Sequence, residues 1–256
     1  MSTPKSVETE IETLDQFIRE VCVTRPCRHW IYRGVKDARF ALLSTLGRLA
    51  AYKDAAEEHR QSIEQNFLLR SYSATRPIDP NYLNPINEAV SAQHHGAPTR
   101  LIDWTKSPLI AAYFACEPSV DATGCLSTSH RDVAVYAAHC CPDMCPPAEK
   151  LLSPEEAYGS IWFEPVVASP RVAVQQSVFV VPRLPEICLL KQPSASITEF
   201  HKYVIPKQRV REFQTHLHRL GITKRMLFPD ADGLNSSLVT DAAIDDLLID
   251  GCDTIP

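Results

Sequence analysis

The sequence lacks most of the short motifs from which an enzymatic activity can be inferred directly. It has only 8 glycines among 256 residues, and none of them forms a P-loop or the G-x-G-x-x-G of a dinucleotide-binding fold. The H-E-x-x-H pattern of metalloproteases and the G-x-S-x-G pattern of hydrolases are missing too, and no pair of glutamates stands out as a glycosidase dyad. These absences argue against a kinase, a Rossmann dehydrogenase and a serine hydrolase.

Long apolar runs and an excess of basic residues are also missing. No apolar run reaches the roughly 18 residues of a transmembrane helix, and the polar N-terminus does not resemble a signal peptide. The net charge of −5 disfavours a dedicated nucleic-acid-binding protein. We therefore expect a cytoplasmic protein that does not associate with membranes, and any protein or nucleic-acid target stays unknown.

Cysteine, in contrast, is frequent. The 9 cysteines are an odd number, and Cys116 and Cys188 stand in apolar contexts, which favours reduced and buried thiols in a cytosolic protein. The tightest group is His139, Cys140, Cys141 and Cys145. A zinc site usually needs a second pair of ligands at a defined spacing, and the neighbouring prolines indicate a loop. We therefore expect no metal, although this cluster leaves the question open.

The hydrophobic pattern predicts an α+β fold. We expect a single domain over residues 1–256, with a core from about 10 to 240, a mixed or antiparallel central sheet, and helices mainly at the N- and C-terminal ends. Helices are predicted over 6–23, 52–72, 87–93 and 210–220, with a last one ending near 248. Strands are predicted over 30–34, 133–138, 158–167 and 172–181, with a further short element over 196–205.

The run AQHHGAPTRLIDWTKSPLIAAYFA, residues 92–115, is the most informative segment. Polar groups at this density beside an apolar helix are costly to bury unless they have a use, so the segment reads as the floor of a site. Ser107 is a good helix N-cap with proline after it, and the N-terminus of that helix would attract phosphate. His94 and His95 are adjacent, point in different directions, and are poor joint ligands for one metal.

Two arginines could meet an anion. Arg33 ends a predicted strand, and a guanidinium makes bidentate contacts with phosphate or carboxylate; the alternative is an ion pair with Asp37 or Asp103. Arg100 stands three residues before Asp103. The two either form a buried pair that fixes a turn, or Asp103 orients an anion-binding Arg100.

Two amides, Gln175 and Gln176, stand in an apolar stretch that we predict to be a strand. Buried amides need hydrogen-bond partners, and strand alternation would place these two on opposite faces. One of them would then enter the site. The alternative is an edge strand with one exposed amide.

Five segments together resemble a known family. They are IYRG at 31–34, LLSTLGR at 42–48, QHHGAPTRLIDWTKSPLIAAYFA at 93–115, RVAVQQSVF at 171–179 and LFPDADGL at 227–234. In this order they resemble the FRG domain family, named for a (Phe/Tyr)-Arg-Gly motif. Ser177 departs from the pattern, because glycine is commoner there, and so does the cysteine-rich loop. The family is widespread in bacteria, its biochemistry is usually unknown, and its contexts often suggest phage defence or mobile elements.

The resemblance implies a set of site residues. The motif positions are Arg33, Gln93, His94, Arg100, Asp103, Trp104, Thr105 and Gln175. A further analogy at the level of fold, to ADP-ribosyltransferases, implies that Arg33, residues 103–107 and Gln175 hold NAD. The late glutamate of those enzymes is missing here, which points to a changed or lost transferase activity.

We therefore expect a protein that binds a nucleotide-like small molecule, with NAD as the cofactor and ADP-ribose transfer as its possible reaction. Arg33, Asp103 and Gln175 are the candidate catalytic residues. Arg33, Gln93, His94, Arg100, Trp104, Thr105 and Ser107 are the candidate ligand-binding residues, with Trp104 stacking on a ring. The alternative is a non-catalytic recognition or effector module whose motif network is structural. A nuclease-like or DNA-binding role has the least support.

Overall fold

The protein is built on one large mixed sheet. The computed structural model describes residues 3–23, 29–75, 85–121, 124–127, 129–141, 159–165 and 170–250. Within these ranges the sheet has seven strands in the order β1-β7-β4-β2-β3-β6-β5. The first of these pairs is parallel and the others are antiparallel. The predicted α+β class with a mixed sheet is confirmed.

The elements follow one another along the chain in a mixed order. The strands are β1 (Lys5–Glu10), β2 (Trp30–Val35), β3 (Ile102–Thr105), β4 (Val133–Cys140), β5 (Ile161–Phe163), β6 (Ser177–Val181) and β7 (Ile197–Ile205). The helices are α1 (Leu14–Cys22), α2 (Thr45–Arg48), α3 (Ala50–Lys53), α4 (Glu57–Thr75), α5 (Pro85–His94), α6 (Pro108–Cys116), α7 (Pro170–Val174), α8 (Val210–Arg219), α9 (Lys224–Leu227) and α10 (Ala231–Asp250). Helices therefore also connect the central strands.

Both faces of the sheet are covered, because successive strand residues point to opposite sides. Tyr32 and Tyr203 lie on one face, in a buried cluster with residues of α1, α6 and α8. Ile31 and Phe200 lie on the other face, in a second buried cluster that includes residues of β3 and β6. By alternation, Arg33 of β2 belongs to this second face. A guanidinium therefore stands in an otherwise apolar strand at the centre of the sheet.

Helix α6 packs directly on β2, because Gly34 has no side chain. A Cβ built on Gly34 would lie 2.0 Å from the carbonyl oxygen of Ala111 and 2.4 Å from the amide nitrogen of Ala115. Any larger residue at this position would push the helix off the strand. The Arg-Gly pair therefore acts on both faces of β2. Arg33 points to one face, and Gly34 lets α6 pack closely on the other.

The predicted N-terminal helix is wrong over its first part. Residues 5–10 form β1, whose backbone pairs in parallel with β7 from Lys5 to Glu10. The helix begins only at Leu14, and its buried residues Leu14, Phe17 and Val21 keep the helical spacing. Pairing with a distant strand, which local periodicity does not contain, decided the structure of the first segment.

The predicted strand over 172–181 is also wrong over its first half. Pro170–Val174 is the short helix α7, and β6 begins at Ser177. The two amides lie in the turn between them, where Gln176 has a φ of 48°, so strand alternation does not govern their directions. The long helix predicted over 52–72 is divided in the same way: α3 ends at Lys53 and α4 begins at Glu57.

The described cysteines are free thiols. Cys116 and Cys140 are buried, Cys188 is half-buried, and Cys22 and Cys125 are exposed; burial raises the pKa of the Cys116 thiol. Cys145 and most of the loop predicted around it lie outside the described residues. Across the ranges that the structure covers, each helix is too short or too polar to cross a bilayer.

We expect Gly34→Ala to destabilise the protein by about 3 kcal/mol or more, because the added Cβ overlaps the α6 backbone. Urea denaturation of the purified variant measures this change. Gly221→Ala is the matched control: its φ is +79° and nothing lies within 4 Å of the added Cβ, so it carries only backbone strain of about 1–2 kcal/mol. Equal losses in the two variants would contradict direct packing of α6 on β2.

Candidate functional site

A cavity of about 920 Å³ opens where β2 and β3 meet. This volume lies near the upper end of the roughly 300–1,000 Å³ typical of small-molecule sites. The two strands pair at Tyr32 and Thr105, and the cavity takes residues from both sides of the sheet. Its wall is formed by Tyr32, Arg33, Gly34, Val35, Lys36, Phe40, Ala41, Leu42, Leu43, Arg48, Lys53, Asp103, Trp104, Thr105, Phe114, Glu117, Gln175, Ser177 and Phe228.

Arg33 is the most buried cation of this wall that the structure describes in detail. Its side chain is 23% exposed, its Nη1 donates a hydrogen bond to the main-chain oxygen of Asp103, and the same atom lies 4.0 Å from Oδ2 of that residue. Burial lowers the pKa of the Arg33 guanidinium and outweighs the opposite effect of the Asp103 charge, and the nearby Arg48 lowers the pKa further. The side chain still carries its charge at neutral pH. A bound anion would therefore compensate a cation that is poorly solvated.

A chain of hydrogen bonds holds Asp103 in place. Thr99 Oγ1 donates to Gln93 Oε1, and Gln93 Nε2 donates to Asp103 Oδ1 over 2.6 Å. The Asp103 side chain is 64% exposed and lies on the cavity wall. Gln93, predicted to bind ligand, is instead placed behind Asp103, where its amide orients the carboxylate.

Thr105 and Gln175 are joined across the site. Thr105 Oγ1 donates to the main-chain oxygen of Gln175 over 2.7 Å, and Gln175 Nε2 donates to the main-chain oxygen of Leu227 over 3.0 Å. The structure thus brings Arg33, Asp103 and Gln175 to the wall of one cavity. The catalytic roles that the sequence suggested for these three residues remain predictions.

Helix α6 faces the cavity with its C-terminal half. Ser107 is its N-cap, as predicted, and accepts a hydrogen bond from the Ile110 amide over 3.3 Å. The residues that α6 contributes to the wall are Phe114 and the C-cap Glu117. The N-terminus of this helix is not among the residues that line the cavity, and the Ser107 hydroxyl caps the helix. The phosphate-holding role of that N-terminus and the ligand-binding role of Ser107 remain predictions.

Trp104 contributes to the wall but is almost wholly buried. It is 3% exposed, and its ring lies 6.2 Å from that of Phe200 in the core. Little of the indole surface is left for stacking on a ligand ring, and that role of Trp104 remains a prediction. The aromatic rings that line the cavity more openly are Phe40, at 55% exposure, and the edge-to-face pair of Phe114 and Phe228.

Arg100 lies away from the cavity wall and pairs with Glu64 of α4. Arg100 Nε lies 2.6 Å from Glu64 Oε1, and the two side chains are only 13% and 9% exposed. The pairing of Arg100 with Asp103 that the spacing allowed is wrong, because Asp103 turns toward Gln93 and Arg33. Arg100 therefore ties α4 to the turn before β3, which is a structural task.

His94 and His95 end α5 and are exposed. Their rings stand edge to face, 5.4 Å apart, and neither lines the cavity. Partial burial and the charge of Arg171 lower the pKa of His94. In the part of the chain that the structure describes, no three residues of the metal-binding types are grouped to hold an ion, and Cys145 of the cysteine-rich cluster is not in that part.

A clasp joins α7 to the turn before α10. Arg171 Nε donates to Asp230 Oδ2, the Gly233 amide donates to Asp230 Oδ1 over 2.8 Å, and the Arg171 guanidinium lies 5.2 Å from the centre of the Phe228 ring. The clasp holds the two segments that bring Gln175 and Phe228 to the cavity. The hydrogen bond from Arg171, helped by that from Gly233, lowers the pKa of Asp230 to about 2.

Sequence reasoning missed several residues of the wall. Arg48 stands in the LLSTLGR motif and was not singled out; Lys36, Lys53 and Glu117 stand in ordinary helical or loop sequence. Lys36 Nζ lies 2.6 Å from Glu117 Oε2. The only available signal was membership of Arg48 in a motif, because nothing local indicates that α3 and the end of α6 meet at one cavity.

The fold and the cavity define an α+β protein with a cationic, aromatic-lined site at the centre of a mixed sheet. Comparison with protein families matches the FRG domain over residues 28–123. The matched segment holds Arg33, Arg48, Asp103 and Glu117. Comparisons with curated proteins and with solved structures gave no match.

We expect Arg100→Met to lower the free energy of unfolding by about 3–5 kcal/mol, because it leaves the buried carboxylate of Glu64 unpaired. Asp103→Asn should cost much less, because that side chain is mostly exposed. Urea denaturation of both variants measures the difference. The double variant Arg100→Met with Glu64→Leu should recover part of the loss. If Asp103→Asn were as damaging as Arg100→Met, the structural division between the two residues would be wrong.

We expect the clasp to be sensitive to acid. The folded pKa of Asp230 is about 2, below the roughly 3.9 of an unfolded chain, so its contribution is complete above about pH 4 and is lost as the pH falls through 2. Between pH 4 and 2, the stability of Asp230→Asn should fall less steeply than that of the wild type. Arg171→Met should show the same weaker dependence of stability on pH. If stability depended on pH in both variants as steeply as in the wild type, the prediction would be contradicted.

Proposed function

We propose that the cavity binds a phosphate-bearing nucleotide, NAD or a related compound. The observation that carries this proposal is Arg33, a largely buried guanidinium on the wall of a 920 Å³ cavity. Guanidinium groups recognise phosphate through paired hydrogen bonds. One of the Arg33 donors is used by the main chain of Asp103, which fixes the side chain in direction. A preset cation of this kind favours an anionic ligand.

The aromatic part of the wall supports a nucleotide over a small inorganic anion. Phe114 and Phe228 form an edge-to-face pair with ring centres 6.2 Å apart, and Phe40 is more than half exposed. Flat apolar rings bind bases and other heterocycles by stacking. A cavity with both rings and cations suits a ligand that has a heterocycle joined to phosphate.

Transfer of ADP-ribose is the reaction that the fold-level analogy to ADP-ribosyltransferases implies, and it remains a proposal. The carboxylates on the described wall are Asp103 and Glu117, and on that analogy Gln175 would contact the ribose. Incubation with labelled NAD, followed by detection of released nicotinamide, tests for catalysis. A part in phage defence rests on the resemblance alone and is tested by plaque counts with and without the protein.

The second candidate is a non-catalytic recognition module. The observation that favours it is the use of motif side chains in internal bonds: Arg100 with Glu64, Gln93 with Asp103 and Gln175 with Leu227. On this proposal the motif side chains maintain the fold through these internal bonds and carry out no chemistry. Binding of nucleotide at the cavity distinguishes the two candidates.

We expect NAD or ADP-ribose at millimolar concentration to raise the melting temperature of the wild type, because a ligand that binds only the folded state stabilises it. Arg33→Gln should abolish the shift. Isothermal titration at 25 °C, with circular dichroism to verify folding, measures the affinity directly.

Arg19→Gln is the matched control, because Arg19 pairs with Asp15 on the surface and its side chain is 74% exposed. This variant should bind as the wild type does. If neither NAD nor ADP-ribose raises the melting temperature of the folded wild type, the proposed function is overturned and the recognition module is favoured.

A further inference from the structure

The charges on the cavity wall do not balance. Four cations lie on it, namely Arg33, Lys36, Arg48 and Lys53, together with the carboxylates Asp103 and Glu117. Lys36 pairs with Glu117 over 2.6 Å, and Arg33 lies against Asp103. No carboxylate among the described residues pairs with Arg48 or with Lys53. Two positive charges of the wall therefore have no carboxylate beside them in the part of the chain that the structure describes.

Arg48 is held in its position by the segment that carries it. Its Nη1 donates to the main-chain oxygen of Leu43 over 2.7 Å, and its Nη2 donates to Thr45 Oγ1 over 3.2 Å. The segment itself is fixed because Gly47 packs against the Pro185 carbonyl, 1.7 Å from where a Cβ would stand. Arg48 and Lys53 are exposed, but the charge of Arg48 is close enough to lower the pKa of Arg33, because like charges repel one another. An anion bound between these cations would relieve that repulsion.

The cations also come from separate elements. Arg33 is on β2, Arg48 ends α2 and Lys53 ends α3, so their charged groups reach the cavity from different points of the wall. A single phosphate is a compact group that one guanidinium can hold. Several cations from separate elements suit a ligand whose charge is spread over two neighbouring phosphates. Asp103 and Glu117 repel such a group from the remainder of the wall.

We infer that Arg48 and Lys53, beside Arg33, form a diphosphate subsite and determine specificity for nucleoside diphosphates and their esters over monophosphates. This inference rests on the proposed function and names the ligand class of the same cavity. Phe40, which precedes the segment of Arg48, lies on the same wall and is placed to meet the remainder of the ligand. Arg48 and Lys53 would bind the β-phosphate of the ligand.

The test compares ADP with AMP by isothermal titration at one fixed salt concentration. The wild type should bind ADP at least about tenfold more tightly than AMP, because the second phosphate adds charge-assisted hydrogen bonds. Arg48→Gln and Lys53→Gln should each weaken ADP more than AMP and bring the ratio of the two dissociation constants toward one. Arg19→Gln, which changes charge equally on α1, should leave the ratio unchanged.

The two variants keep the test decisive. Lys53 is exposed, so Lys53→Gln leaves the fold intact even if Arg48→Gln disturbs the Leu43 turn. If ADP and AMP bind the wild type equally, or if both variants keep the wild-type ratio, the diphosphate subsite is overturned and the proposed function stands. If neither nucleotide nor NAD binds the folded wild type, the proposed function fails and the subsite fails with it.

Discussion

The direct contact between Gly34 and the backbone of α6 is the constraint on which the site depends. This contact lets a helix pack directly on a central strand. A Cβ built on Gly34 would lie only 2.0 Å from the carbonyl oxygen of Ala111 in α6. Because strand residues alternate, the neighbouring Arg33 must then face the other side, where β3 and the segment before α2 meet it. Phe114 and Glu117 reach the cavity because α6 is fixed by this contact. The two adjacent residues therefore act on opposite faces of β2: Gly34 allows α6 to pack closely on one face, and Arg33 places a positive charge on the other.

The polar residues of the central motif have two kinds of task. Arg100, Gln93 and Ser107 are used inside the fold: an ion pair with Glu64, a bond that orients Asp103 and a helix cap. Asp103 and Thr105 meet the cavity. Buried polar groups require partners, so a motif rich in them needs many internal bonds to hold a few groups at the site. The number of polar residues in the motif is therefore larger than the number of them that line the cavity.

The residues that balance the site electrically come from outside that motif. Lys36, Arg48 and Lys53 give the wall its positive surplus, and Glu117 cancels part of it. The Arg171–Asp230 clasp holds the far side of the cavity, where Phe228 lies. A ligand would meet a wall assembled from β2, α2, α3, α6 and the turns near α7 and α9. No single stretch of the chain forms the described wall of the cavity.

The sequence alone determined the α+β class, the strand that carries Arg33, the Ser107 cap and the order of the motifs. Each of these follows from local pattern: alternation, helical spacing, capping chemistry and a turn residue. Tertiary structure alone decided that residues 5–10 pair with β7 as a strand, that Gln175 lies in a turn, and that Arg100 pairs with Glu64. It also brought Arg48 and Lys53 beside Arg33. These outcomes depend on contacts between residues far apart in the chain, whose energies exceed local propensity and leave no local pattern to read.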